Sequence, residues 1–179
     1  MTRTELARAI HHASNLQGSF TLRSGATATE YFDKYLFESD PTLLHAIAAH
    51  LAPLVPADTD ALAGLELGGV PIAAVLSQVT GLPLRSVRKK AKEYGTMRLA
   101  EGGEISGLRL LVVEDVVTSG GQIVLSTGDL RALGAQVDVA LCVIDREAGG
   151  AEALASANVT LRPLFTMGEL KRAAAGEEL

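Results

Sequence analysis

Cysteine is nearly absent. A single residue in 179, Cys142, excludes an internal disulfide and fits a reducing, cytoplasmic setting. Cys142 lies in an apolar run with no base partner apparent, so it reads as core and not as a nucleophile. No apolar run approaches the ~20 residues of a membrane span. The N-terminus, Met1-Thr2-Arg3-Thr4-Glu5, leads into an amphipathic helix pattern and not a signal peptide. Histidine is scarce, with four in the chain. His45 and His50 lie five apart and do not share a helix face as metal ligands at i and i+4 would. With His11 and His12 they read as non-functional. There is no Gly-Lys of a P-loop, no Gly-x-Gly-x-x-Gly and no internal repeat. Basic residues are outnumbered, 16 against 21 acidic, for a net charge of −5. That balance argues against nonspecific nucleic-acid binding.

The positive charge that is present is concentrated. Arg85, Arg88, Lys89, Lys90, Lys92 and Arg98 fall within fourteen residues that hold one acid, Glu93; the rest of the chain has ten basic and twenty acidic residues. An acidic chain that gathers its cations in one stretch is suited to meet a compact anion there. At 179 residues and 47% hydrophobic, the chain is a single domain with a real core.

The stretch that organises the rest is Leu110-Leu111-Val112-Val113-Glu114-Asp115-Val116-Val117-Thr118-Ser119-Gly120-Gly121-Gln122. Its first half predicts a strand buried on both faces, as in a parallel sheet. A small-residue turn, Thr118 to Gly121, leads into a helix with Ile123, Thr127, Leu130 and Leu133 on one face and Gly134 as its stop. Backbone N–H groups of such a turn and the helix N-terminus form an anion site. Glycine lets the backbone approach a phosphate closely. Glu114 and Asp115 stand near the carboxyl end of the strand, where open α/β sheets bind ligands. A phosphate cradle beside two carboxylates suits a phosphorylated sugar.

Around this centre the pattern predicts a helix over 4–14 capped by Thr4. A short strand and turn follow at Gly18–Gly25, then a second extended piece at Tyr31–Tyr35 and a helix from Pro41 to about Leu51. From residue 61 strand and helix alternate. Strands are expected at Ala61–Glu66, Leu84–Val87, Gln136–Ile144 and Val159–Leu164. Helices are expected at Ile72–Thr80, near Gly150–Ser156, and after a capping box running from Thr166 to Glu169. Glu93–Gly107, with four glycines, reads as a flexible loop of the kind that closes active sites. Such alternation implies an α/β fold with a mostly parallel sheet and helices on both faces.

Three further stretches carry chemistry. Gly68-Gly69 between strand and helix offers N–H groups to an anion, though a plain tight turn reads the same. Arg88-Lys89-Lys90-Ala91-Lys92-Glu93-Tyr94-Gly95 reads alone as a solvated basic face, a reading weakened by the acidic background and the glycines that follow. Arg146, after Asp145 at a strand end, is either a surface cation or a guanidinium fork for a planar carboxylate.

Together these strings resemble one family. The central string resembles the phosphoribosyl-diphosphate (PRPP) motif of type I phosphoribosyltransferases. Arg88, Lys89 and Lys92 fall on the positions of the catalytic loop of orotate phosphoribosyltransferases, with Tyr94 where that loop often has histidine; a phenol still hydrogen-bonds a phosphate oxygen. Phe20-Thr21-Leu22-Arg23-Ser24-Gly25, Tyr31-Phe32-Asp33 and Asp145-Arg146 resemble that family's orotate-recognition segments.

The resemblance implies a type I phosphoribosyltransferase fold with a five-stranded sheet over about 60–165. It also implies a small hood built from about 1–40 and the C-terminal segment. Arg88, Lys89 and Lys92 are implied as catalytic. PRPP is implied to be held by these three with Tyr94, Glu114, Asp115, Val116, Val117, Thr118, Ser119, Gly120, Gly121, Gln122, Gly68 and Gly69. Orotate is implied to be held by Arg23, Tyr31, Phe32, Thr118 and Arg146. Mg²⁺ is implied as the cofactor, held through the diphosphate and not by a direct protein ligand. A homodimer in which Lys89 acts in the neighbouring site is implied as well. Two alternatives stay open: transfer to another nucleobase, and a PRPP-sensing regulator without catalysis.

Overall fold

The computed structural model describes residues 1–21, 25–93 and 98–179. Arg23 and Tyr94, both expected in the site, lie outside the described residues. The elements in chain order are α1 (Arg3–Ser14), β1 (Asn15–Thr21), β2 (Thr27–Phe32), α2 (Lys34–Ser39), α3 (Pro41–Leu51), β3 (Ala61–Leu65), α4 (Gly69–Thr80), β4 (Leu84–Val87), β5 (Ala100–Glu101), β6 (Leu110–Val117), α5 (Gly121–Ala132), β7 (Val139–Asp145), α6 (Gly150–Ser156), β8 (Thr160–Thr166) and α7 (Met167–Ala174).

The main sheet runs β5-β4-β3-β6-β7-β8, and β1 and β2 form a separate antiparallel pair. Five strands are parallel, as expected. The sixth, β5, is an addition to the expected sheet: two residues antiparallel to β4, with Ala100 opposite Val87 and Glu101 opposite Ser86. Part of the expected loop over Glu93–Gly107 is therefore tied to the sheet. Leu99, Ala100 and Ile105 are buried beneath it, and Gly102 and Gly103 take positive φ in the turn that follows β5. A two-residue strand is too short to leave a periodic trace in the sequence.

Side-chain alternation along the strands divides the core. Leu62, Leu111, Val113, Leu141 and Val143 face α1, α3, α4 and α7; Ala61, Ala63, Leu110, Val112, Ala140 and Cys142 face α5 and α6. Cys142 is fully buried, and burial raises its thiol pKa, which keeps it a packed, un-ionised group.

Helix boundaries follow local chemistry. Thr2, not Thr4, caps α1, in a capping box with Glu5. Thr4 instead is buried and accepts the backbone N–H of Leu179. The extended piece at Tyr31 stops at Phe32, because Asp33 caps α2 by accepting the N–H of Tyr35. Asp40 caps α3 through the N–H groups of Thr42 and Leu43. Thr166 and Glu169 form the anticipated capping box of α7. Gly81 ends α4 in the left-handed region. The N-terminal and C-terminal helices are joined by side chains: Arg3 donates to Leu164 O and Glu169, and Arg8 to Ala173 O. Among the described residues no helix is long and apolar enough to cross a membrane.

Candidate active site

The β6–α5 turn forms a hollow lined by Glu114, Val116, Val117, Thr118, Ser119, Gly120, Gly121 and Gln122. Nearly the whole predicted phosphate string therefore faces one space. Gly120 has φ 73° at the helix N-cap, a conformation that glycine adopts without strain. The turn is braced from behind by α6: a Cβ on Gly120 would lie 2.5 Å from Leu154 Cδ1, and one on Gly150 2.4 Å from Val117 Cγ1. Thr118 and Ser119 are exposed at the mouth with their hydroxyls available. An open helix N-terminus, glycines and hydroxyl donors in one hollow can bind a phosphate.

The two acids of the string differ in placement. Glu114 lines the cradle. Asp115, 1% exposed, turns toward α2 and the Gly68-Gly69 turn. Its Oδ2 pairs with Lys34 Nζ, and its Oδ1 accepts the N–H of Val116. A Cβ on Gly68 would sit 1.6 Å from Asp115 Oδ2, and one on Gly69 2.2 Å from Val113 O. These glycines are where α4 closes on β6. Burial, followed by the Asp115 charge, pushes the Glu114 carboxyl up to about 8. Asp115 is shifted downward: burial works against its ionised form, but the contact with the Lys34 ammonium outweighs it. For Lys34, burial opposes the charge, and Asp115 reverses that and raises it.

A second hollow of about 230 Å³ is lined by Tyr31, Phe32, Asp33, Lys34, Tyr35, Val116, Thr118 and Arg146. It brings together four of the five residues expected at the base, from three separate parts of the chain. Thr118 and Val116 line both hollows, so they form a common wall. Arg146 is fixed by its backbone, whose N–H donates to Val117 O at 2.8 Å, while its side chain is exposed. Tyr31 stacks at a tilt on Phe20, 5.5 Å between ring centres.

The cations stand at the end of β4. The backbone N–H of Lys89 donates to Glu66 at 2.6 Å, and its side chain is exposed. Arg88 and Lys92 share Glu101 on β5 as their carboxylate partner. Lys92, then Arg88, hold the Glu101 carboxyl below its usual range. The structure thus brings the cradle and the second hollow into contact and pairs two of the three cations with Glu101.

Lys34 and Glu38 were missed by the sequence reading. The sequence pattern puts Lys34 in an extended segment, and Glu38 falls in no motif. The one available signal is their spacing, i and i+4, which stacks them on one helix face. Among the described residues no group of three or more His, Cys, Asp or Glu could hold a metal ion.

Comparison with known proteins follows the same lines. The phosphoribosyl transferase domain family matches residues 42–164. An orotate phosphoribosyltransferase of a Nocardioides species is 54% identical over 168 residues, 94% of each chain. Among solved structures, orotate phosphoribosyltransferase from Aeropyrum pernix superposes with a TM-score of 0.82 at 31% identity, covering 97% of this chain and 99% of that one. The Mycobacterium tuberculosis enzyme in complex with PRPP gives a TM-score of 0.82 at 28% identity, covering 94% and 98%. A family match over most of the chain, joined to a relative identical at more than half of its positions, places this chain among the orotate phosphoribosyltransferases of the phosphoribosyl transferase family.

Proposed function

We propose that the chain transfers the ribose 5-phosphate group of PRPP to orotate, giving orotidine 5′-phosphate and diphosphate in the synthesis of UMP. The observation that carries this reading is the common wall: a phosphate cradle and a hollow bearing an arginine meet at Thr118. A planar anionic base and a phosphorylated sugar held on the two sides of that wall would present the ring nitrogen to the anomeric carbon.

The residues then have separate tasks. The cradle from Thr118 to Gln122 holds the 5′-phosphate, a remote group whose binding energy aligns the reacting centre. Glu114 and Asp115 serve the ribose hydroxyls. Arg146, with Arg23, takes the carboxylate of orotate, and Tyr31 and Phe32 flank its ring. As the bond from the anomeric carbon to diphosphate breaks, negative charge gathers on the leaving group. Arg88, Lys89 and Lys92 stabilise it, assisted by the N–H groups of Gly68 and Gly69 and the phenol of Tyr94. Arg88 and Lys92 exchange Glu101 for phosphate oxygens in doing so.

Mg²⁺ fits this site as a companion of the substrate. Hard cations of this kind keep phosphate and water oxygens as ligands and need few from protein, so the ion would be held mainly through the diphosphate. When bound, the ion would supply further neutralisation of the diphosphate. About residues 1–40, with the C-terminal segment, form a hood over the base hollow. The working molecule is a cytoplasmic homodimer in which Lys89 reaches the neighbouring site.

The test is an acceptor panel: purified chain, PRPP and Mg²⁺ with orotate, uracil, adenine or guanine in turn. Orotate should be consumed with release of one diphosphate per base. Preferential use of another base would point to a different transferase, and no turnover with any base to a PRPP-binding regulator.

A further inference from the structure

Asp115 is buried near the end of β6, and among the described residues the cation that holds it is Lys34. A second carboxyl stands beside it. Glu38 lies four residues after Lys34 on α2 and so on the same helix face. Its Oε1 is buried and, among the described residues, has no hydrogen-bond donor. Both Glu38 Oε1 and Asp115 Oδ2 crowd the space that Gly68 leaves open, 2.9 and 1.6 Å from the place where a Cβ would lie. Two buried carboxylates facing each other without a donor are costly. One proton shared between them removes the cost, since it supplies the missing donor.

The surroundings say which group carries the proton. The charged groups that face Glu38 are Asp115, Lys34 and Glu114, and burial together with Asp115 pushes its carboxyl up to about 8. Asp115 is shifted the other way, with Lys34 in direct contact. The proton therefore belongs to Glu38 and the negative charge to Asp115.

We propose that Glu38 is a positioning residue: as a neutral carboxylic acid it donates a hydrogen bond to Asp115 and, with Lys34, fixes that carboxylate for the ribose of PRPP. The proposal rests on reading Asp115 as a ribose carboxylate. It explains why Gly68 must lack a side chain and why a glutamate stands in a half-buried position beside two other acids. Glutamine can donate the same hydrogen bond, whereas leucine cannot.

Two measurements test it. The first is infrared spectroscopy at neutral pH without substrate, using protein labelled with ¹³C in its glutamate carboxyl groups. A carbonyl band of un-ionised glutamic acid that moves with the label and is lost in Glu38→Gln is expected. An unchanged set of bands in Glu38→Gln would overturn the proposal, because Glu38 would then be ionised. The second is steady-state kinetics. Glu38→Gln should keep KM for PRPP within about twofold, and Glu38→Leu should raise it about tenfold with a smaller effect on kcat, the size expected for a hydrogen bond to a charged group. Equal damage in both variants, or none in Glu38→Leu, would contradict it. Should Glu38→Leu fail to fold, the infrared result and the Glu38→Gln kinetics still decide. The infrared readout needs no turnover, so a chain inactive toward orotate would sink the functional reading and leave this test intact.

Discussion

Gly68 has no room for a side chain because Asp115 occupies the space, 1.6 Å from the missing Cβ. Gly68→Ala should therefore displace Asp115 or open the α4 turn, and kcat/KM for PRPP should fall by about tenfold or more, the size of a lost charged contact. Steady-state kinetics with PRPP as the varied substrate checks this. Arg146 is placed differently. Its backbone is anchored to Val117 while its guanidinium borders the base hollow. Arg146→Ala should cost about 1.5–3 kcal/mol more for orotate than for an acceptor lacking the carboxylate. Equal losses with both acceptors would remove it from the base site. At this scale the sequence was legible where chemistry sits in a local string, as from Thr118 to Gln122. It was illegible where a contact spans the chain. Lys34 meets Asp115 across 81 positions, and no spacing rule reaches that far.

Elements carry the cradle. The β6–α5 turn is set by Gly120 in front and by α6 behind, where Gly150 packs on Val117 and Thr118 O. Gly150→Ala should push the turn outward and raise KM for PRPP about tenfold, with a much smaller change for orotate, because phosphate binding depends on aligned N–H groups. An equal change for both substrates would mean that the variant disturbs the whole site. Most elements were readable because long periodic runs and caps are local: β4, α3 and the capping box of α7 fall where the pattern puts them. Two others were not. β5 exists only through its pairing with β4 and its buried neighbours Leu99 and Ile105. α2 begins one residue past β2 because the side chain of Asp33 caps it, and an aromatic segment hid that cap.

The whole molecule responds to pH through the buried acids. Glu38 and Glu114 are each raised from 4.5 to about 8, so the folded chain holds their protons more tightly than the unfolded one. Their contribution to stability is complete below about 4.5 and is lost as pH rises through about 8. Asp115 has the opposite sign: its contribution is present above its usual 3.8 and is lost as pH falls. The substrate-free protein should accordingly melt at lower temperature as pH rises between these values, and Glu38→Gln should flatten part of the decline. A Tm that rises over this window would contradict the assignment. Assembly can be tested by mixing the inactive variants Lys89→Ala and Asp115→Asn under conditions that would allow subunit exchange. If Lys89 acts across a twofold interface, one site of each heterodimer escapes both lesions and activity returns toward about a quarter of wild type; if it acts within its own subunit, none returns. The activity itself is tested most directly by following PRPP labelled with ¹³C at the anomeric carbon, with Mg²⁺ and orotate, by NMR. The label should pass from a carbon bonded to diphosphate oxygen to one bonded to the ring nitrogen of orotate, with diphosphate released in equal amount. A label that stays on PRPP, or that ends as free ribose 5-phosphate while orotate is unconsumed, would contradict the account.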